Sequence, residues 1–200
     1  DGMQVGPAAD EGTATLRGMR AERGPDDDAY VELIVLQDEL VGPVALYPDP
    51  LLSNVLTAAT QPDQIKQAQS YLDAGKPVTE DMKTGFDTAV NALMFYPDVL
   101  SMMNKNTEWT SAIGWATANQ LSDVMEAVQR FRYQAKTAGS LKTNDKVKVI
   151  EEGTVIRIEP ADPQVIYVPT YQPSTVIVQQ SDGFDTFLHY SAGIAANVLL

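Results

Sequence analysis

A short phrase that combines tyrosine, proline and aspartate occurs twice, and it constrains the fold more than any other feature of the chain. The copies are LYPDPLLS at residues 46–53 and FYPDVLS at residues 95–101. A residue that precedes proline avoids helical backbone angles, whereas proline itself suits the first turn of a helix. Each copy therefore predicts the start of a helix, and their repetition predicts two similar helical units that pack together.

One aspartate follows the first proline of each copy, Asp49 and Asp98. Aspartate is a common N-cap, because its carboxylate accepts a hydrogen bond from a free amide of the first helical turn. We expect both carboxylates to serve in this way, and Asp87 to cap a helix that contains Ala89. The alternative is a pair of carboxylates that the repeat brings together, since two such groups can carry out acid–base or glycosidic chemistry.

Apolar residues spaced three and four apart predict helices as far as Gly139, most clearly between residues 121 and 135. Three cations near the end of that last helix, Arg130, Arg132 and Lys136, are expected to complement the helix dipole. Beyond Lys142 the apolar residues alternate instead. This change predicts a hairpin that turns at residues 152–153, followed by strands at 165–168 and 175–178.

The sequence therefore predicts a mainly α fold: stacked helical hairpins with a two-fold internal repeat, followed by a small antiparallel β-hairpin element. We expect a flexible leader at residues 1–28, a helical repeat domain at 29–142 and an antiparallel β element at 143–180. The C-terminal segment at 181–200 is expected to begin a hydrophobic or low-complexity tail, because it ends within an apolar run.

Composition excludes several classes of function. The net charge of −13 disfavours nucleic acid and anionic lipid surfaces, which bind basic proteins. The chain contains no cysteine and one histidine, His189, so we expect neither a metal nor a cofactor. It also lacks the Gly-x-Ser-x-Gly and glycine-rich phosphate-loop motifs. Membrane association is expected only through residues beyond Leu200, since no apolar run in the chain is long enough to span a bilayer.

Aromatic side chains are the candidate binding residues, because aromatic platforms bind sugars and proline-rich peptides. They are Tyr47, Tyr96, Trp109, Trp115, Tyr167 and Tyr171. Tyr171 is the strongest candidate, since it lies in a tyrosine- and proline-rich loop that we expect to be exposed. Packing in the core is the alternative for the others.

Five phrases in a fixed order connect the chain with a known family. They are LYPDPLL at 46–52, YPDVL at 96–100, DVMEAVQR at 123–130, AGSL at 138–141 and EPADPQVIYVP at 159–169. Over about residues 36–178 the chain resembles the bacterial family of unknown function DUF3300. The resemblance implies a periplasmic or cell-envelope location in a Gram-negative bacterium. It implies no activity and no catalytic residues.

We therefore expect a non-catalytic interaction or scaffolding module of the cell envelope, with an envelope protein or cell-wall glycan as its partner. The alternative is a carboxylate-dependent hydrolase that acts on cell-wall glycan or peptide. A third interpretation is a subunit whose partner completes its sheet through the edge strands.

Overall fold

The computed structural model describes residues 38–79 and 84–177, and the backbone of residues 189–192. The helices are α1 (Asp49–Ala59), α2 (Pro62–Asp73), α3 (Thr88–Leu93), α4 (Pro97–Lys105), α5 (Thr107–Asn119), α6 (Leu121–Thr137) and α7 (Pro173–Val176). The strands are β1 (Val147–Glu152), β2 (Val155–Pro160), β3 (Tyr167–Thr170) and β4 (His189–Ala192). The predicted mainly α fold with a following β-hairpin is confirmed. The predicted leader at residues 1–28 lies outside the described residues.

Proline and glycine set many of the helix boundaries. Helices α1, α2 and α4 each carry a proline within their first two positions. A backbone amide at these positions has no acceptor within the helix, so the missing amide proton of proline costs no helical hydrogen bond. Gly75 and Gly139 follow α2 and α6 with φ angles of 67° and 82°. This left-handed conformation ends a helix, and glycine adopts it at little cost.

The capping predictions are confirmed at one aspartate and wrong at the other two. The Asp87 carboxylate accepts a hydrogen bond of 2.8 Å from the Ala89 amide at the start of α3. Helix α1 instead begins after Pro48 and α4 after Tyr96, and neither has a side-chain cap. Asp49 and Asp98 lie within the first turn, beyond the cap position, where a carboxylate still faces the positive end of the helix dipole.

The two copies of the repeated phrase open two helical hairpins, as predicted. Helices α1 and α2 form the first hairpin, and α4 and α5 form the second. Helix α1 packs against α5, while α2 packs against α4. The first helix of each hairpin thus contacts the second helix of the other.

Helix α5 approaches the end of α1 so closely that only glycine fits at the contact. A Cβ atom added to Gly114 would lie 2.0 Å from the carbonyl oxygen of Ala59 and 3.0 Å from the amide nitrogen of Thr60. Both neighbours are backbone atoms, which cannot rotate away as a flexible side chain can. Gly114 therefore fixes how deeply the two hairpins pack.

The predicted β-hairpin is confirmed. Strands β1 and β2 are antiparallel with Glu152 opposite Val155. The turn between them contains Gly153, whose φ of 63° suits a two-residue hairpin turn.

The strand predicted at residues 175–178 is wrong for its described part, because Pro173–Val176 forms the short helix α7. Pro173 occupies the first helical position, and the Thr175 hydroxyl donates a hydrogen bond to the Gln172 carbonyl. The Val176 side chain is fully buried, so tertiary packing outweighs the β propensity of this stretch. Strand β3 pairs with β4 instead.

No helix among the described residues combines the length and the apolar character that a membrane span requires.

The first prediction concerns the contact between the two hairpins. Gly114→Ala should lower the free energy of unfolding by about 3 kcal/mol or more, because the added methyl group forces α5 away from α1. Ser111→Ala, an exposed position on the same helix, is the matched control and should change the free energy by less than about 0.5 kcal/mol. Urea denaturation followed by circular dichroism measures both, and equal stability of the two variants would contradict the packing described here.

Candidate functional site

A buried arginine lies at the centre of the described structure. The side chain of Arg132, on α6, is only 2% exposed. It lies on the apolar face of that helix, between the buried residues Val128 and Ala135. Removing a guanidinium group from water is costly unless it is fully paired, so its partners are important.

The guanidinium group donates to three backbone carbonyls and one carboxylate. Nε donates to the Ala45 carbonyl at 2.8 Å, and Nη2 donates to the Tyr47 carbonyl at 3.1 Å. Nη1 donates to the Ile156 carbonyl at 2.8 Å and lies 2.7 Å from Oδ1 of Asp49. One side chain thus joins α6, the segment before α1, the first turn of α1 and strand β2.

The carboxylate of Asp49 has a role that the sequence did not indicate. In addition to the ion pair, its Oδ1 accepts a hydrogen bond of 3.3 Å from the Ile158 amide. Burial lowers the pKa of the Arg132 guanidinium, and the Asp49 charge opposes that shift. The predicted roles of Asp49 as a helix cap and of Arg132 as a dipole-facing cation are therefore both wrong. The sequence did contain an indication that Arg132 is buried, because it follows Val128 by four residues and so lies on the same apolar face of the helix.

Side chains form hydrogen bonds with backbone groups at the outer edges of the β-hairpin. On β2, the Ile156 amide donates to Oε1 of Gln129 at 2.7 Å, and Nε2 of Gln129 donates to the Ile156 carbonyl at 3.2 Å. On β1, the Val149 amide donates to the Thr143 hydroxyl at 2.9 Å, and Asn144 bonds the backbone of Val147. These groups are the ones that an added partner strand would use, so the interpretation of a sheet completed by a partner loses support at these positions.

Two of the candidate aromatic residues bind the backbone of residues 40–46. The Tyr171 hydroxyl donates to the Gly42 carbonyl at 2.7 Å and accepts from the Leu46 amide at 3.1 Å. The indole Nε1 of Trp109 donates to the Leu40 carbonyl at 2.8 Å. The polar atoms of both rings therefore stabilise the fold. Tyr171 is half-buried rather than exposed, unlike the expectation for its loop.

The other candidate aromatic residues are also at least half-buried. Tyr47 and Tyr96 are buried in the core, and burial raises the pKa of each hydroxyl to about 12. The Tyr96 hydroxyl has no hydrogen-bond partner among the described residues. Trp115 is half-buried, and the half-buried ring of Tyr167 has Nζ of Lys146 4.5 Å from its centroid. Ligand binding by these aromatic residues stays a prediction.

The structure exposes a row of apolar side chains that the sequence did not single out as a surface. Leu121, Met125 and Tyr133 on α6 are 52%, 39% and 65% exposed. Leu121 and Met125 lie one turn apart, whereas Tyr133 lies two turns further on, beyond Gln129, whose side chain bonds the Ile156 backbone. We call Leu121, Met125 and Tyr133 the α6 row. The spacing of these residues in multiples of four is visible in the sequence, but apolar residues with that spacing are ordinarily expected to be buried.

Comparison with known proteins supports the family resemblance that the five sequence phrases indicate. The profile of the family described as "Protein of unknown function (DUF3300)" matches residues 36–181. The chain belongs to this family. It is 34% identical over 179 residues to the "Uncharacterized protein YacH" of Escherichia coli (strain K12), an alignment that covers 70% of this chain. The chain spans only 29% of the length of that relative. No solved structure matches it.

Metal-ligating side chains do not gather in the part of the chain that the structure describes. No group of three or more histidine, aspartate or glutamate residues there could hold a metal ion.

The second prediction concerns the buried ion pair. Arg132→Met should lower the free energy of unfolding by about 3–5 kcal/mol, because it removes the donor of the Ala45 and Tyr47 carbonyls, one of the two donors of the Ile156 carbonyl, and the counter-charge of Asp49. Arg157→Met removes an exposed arginine that pairs with Glu152 and Glu159, and it should cost less than about 1 kcal/mol. Urea denaturation of both variants tests the difference, and equal losses would contradict a central role for Arg132.

The third prediction concerns alkaline pH. Burial raises the pKa values of Tyr47 and Tyr96 to about 12 and that of Tyr171 well above 10. The unfolded chain therefore loses these protons at a lower pH than the folded chain. Stability should be complete below about pH 10 and fall as the pH rises toward 12.

Absorbance at 295 nm and circular dichroism should then show buried tyrosines ionising together with unfolding. Tyr96→Phe removes one hydroxyl with a raised pKa, so the unfolding midpoint of this variant should move to higher pH. Complete tyrosine ionisation near pH 10 with an intact circular dichroism spectrum would be the contrary result.

Proposed function

We propose that this chain is a non-catalytic interaction or scaffolding module of the cell envelope and that the α6 row is its contact surface. The proposal rests on the positions of the exposed large apolar side chains. In the described residues three of them, Leu121, Met125 and Tyr133, share one helix. Exposed apolar side chains that gather on one face typically mark an interaction site.

The bonds of the candidate catalytic groups support a non-catalytic role. Of the two candidate carboxylates, Asp49 neutralises Arg132, and Asp98 lies exposed in the first turn of α4. A hydrolase that used Asp49 would have to withdraw it from a guanidinium group that is otherwise buried without a counter-charge. Breaking such a pair costs about 3–5 kcal/mol, so Asp49 is better suited to holding the fold than to attacking a substrate.

The envelope location rests on the family resemblance, and the partner classes are an envelope protein or a cell-wall glycan. The exposed row favours a protein partner. Leucine and methionine offer aliphatic and thioether surface that complements another apolar protein face, whereas sugars are bound mainly by exposed aromatic faces and polar groups.

The fourth prediction tests the surface and the location together. A photo-crosslinking amino acid is placed at position 125 of the full natural protein in its own bacterium, and in a separate variant at Lys66, an exposed polar position on α2. Position 125 should give discrete protein adducts, and position 66 should give few. The protein should appear in the periplasmic or envelope fraction.

Two results would contradict the proposal. Equal labelling at positions 125 and 66 would show that the α6 row has no special partner. A cytosolic fraction that contains all of the protein would show that the module does not act in the envelope. Met125→Lys, tested beside Lys66→Glu, provides a check without the artificial amino acid, since only the first change should alter the set of co-purified proteins.

A further inference from the structure

The methionine side chains of the described residues differ sharply in exposure. Met94 and Met103 lie in the core and are 2% and 0% exposed, and Met102 is half-buried. Met125, in the second turn of α6, is 39% exposed. Reagents dissolved in water therefore reach the thioether side chain of Met125 more easily than those of the methionines in the core.

Methionine is also the residue that a peroxide attacks most readily in this chain. A cysteine thiolate would ordinarily react first, but the chain contains no cysteine. Oxidation converts the apolar thioether of methionine into a polar sulfoxide, and methionine sulfoxide reductases reverse the change. Among the described residues, a peroxide in solution should therefore oxidise Met125 before it oxidises the core.

The place of Met125 on α6 determines what its oxidation would change. Leu121 lies one turn before it and is 52% exposed. One turn after it, the Gln129 amide is held by the backbone of Ile156. The N-terminal end of the α6 row thus consists of Leu121 and Met125 alone, and Met125 supplies half of its apolar side chains.

A sulfoxide at this position would weaken an apolar contact without disturbing the core. The sulfoxide oxygen accepts hydrogen bonds from water, and an apolar partner would have to remove that water without offering a donor in return. In the free chain the same group stays hydrated, because Met125 is exposed. A sulfoxide at Met94 or Met103 would instead place a polar group in the core and destabilise the fold.

We propose that Met125 is a site of reversible oxidation by a peroxide and that its sulfoxide switches off the contact surface. A sulfur lone pair attacks one peroxide oxygen, and the O–O bond breaks. The departing hydroxide takes the proton of the transferred hydroxyl group and becomes water. Reduction consumes two thiols, which form a disulfide while the sulfoxide oxygen leaves as water. This inference rests on the proposed function and names the regulation of its surface.

The fifth prediction concerns the rate of oxidation in the purified chain. Hydrogen peroxide should oxidise Met125 about tenfold or more faster than Met94 and Met103, because only Met125 is exposed. Mass spectrometry of proteolytic peptides locates the added oxygen, which is about 16 Da. The chain oxidised at Met125 should melt within about 2 °C of the untreated chain in circular dichroism. A methionine sulfoxide reductase with dithiothreitol should restore the original mass.

A second experiment tests the switch in the full natural protein, in its own bacterium. A photo-crosslinking amino acid replaces Leu121, and position 125 carries methionine, leucine (Met125→Leu) or glutamine (Met125→Gln). Leucine stays apolar and cannot be oxidised, whereas glutamine is polar like the sulfoxide. Hydrogen peroxide should lower the yield of adducts about tenfold with methionine and leave it unchanged with leucine. Glutamine should give the low yield without peroxide. Circular dichroism of each purified variant verifies its fold.

Two results would overturn this inference: oxidation of Met94 or Met103 in the folded chain as fast as that of Met125, or equal loss of adducts with methionine and with leucine after peroxide. The failures of the two proposals are distinguishable. Adducts that persist after Met125 is fully oxidised keep the contact surface and refute the switch. Fast, reversible oxidation of Met125 without adducts at position 121 or 125 before peroxide keeps the oxidation site and refutes the contact surface.

Discussion

The pairing of Arg132 with Asp49 is the interaction on which the rest of the structure depends. A guanidinium group that is 2% exposed needs hydrogen-bond acceptors. Burying it without partners would cost a large part of the net free energy of unfolding of a domain of this size. The carbonyls of Ala45, Tyr47 and Ile156 and the Asp49 carboxylate fill this role. They come from parts of the chain that are distant in sequence. One buried charge therefore joins the helical hairpins to the β-hairpin.

The two copies of the repeated phrase differ in where their helices begin. In the first copy the Tyr47 carbonyl accepts from Arg132, and the Leu52 amide bonds the Pro48 carbonyl. In the second copy the Tyr96 carbonyl accepts from the Leu100 amide within α4. Helix α4 thus begins one residue earlier in the phrase than α1 does. The two phrases also differ locally, since Pro50 stands where the second copy has Val99, and a residue before proline avoids helical angles.

The candidate site shows what sequence patterns can predict and what they cannot. Aromatic residues were reasonable candidates for binding, yet the polar atoms of Trp109 and Tyr171 bind the backbone of residues 40–46. The exposed row on α6 follows the spacing that ordinarily indicates a buried face. The two cases have one cause: a sequence pattern identifies residues that share a helix face or a loop, but only the neighbouring elements decide whether that face is covered.

The sequence by itself determined the local features of this protein. Prolines in the first turns, Gly75 and Gly139 at helix ends and Gly153 in the hairpin turn act through backbone angles, which depend on a residue and its nearest neighbours. Only the tertiary structure decided the partners of Arg132 and the helical form of residues 173–176. These depend on which groups lose contact with water, and that loss is a property of the packed neighbours rather than of the residues themselves.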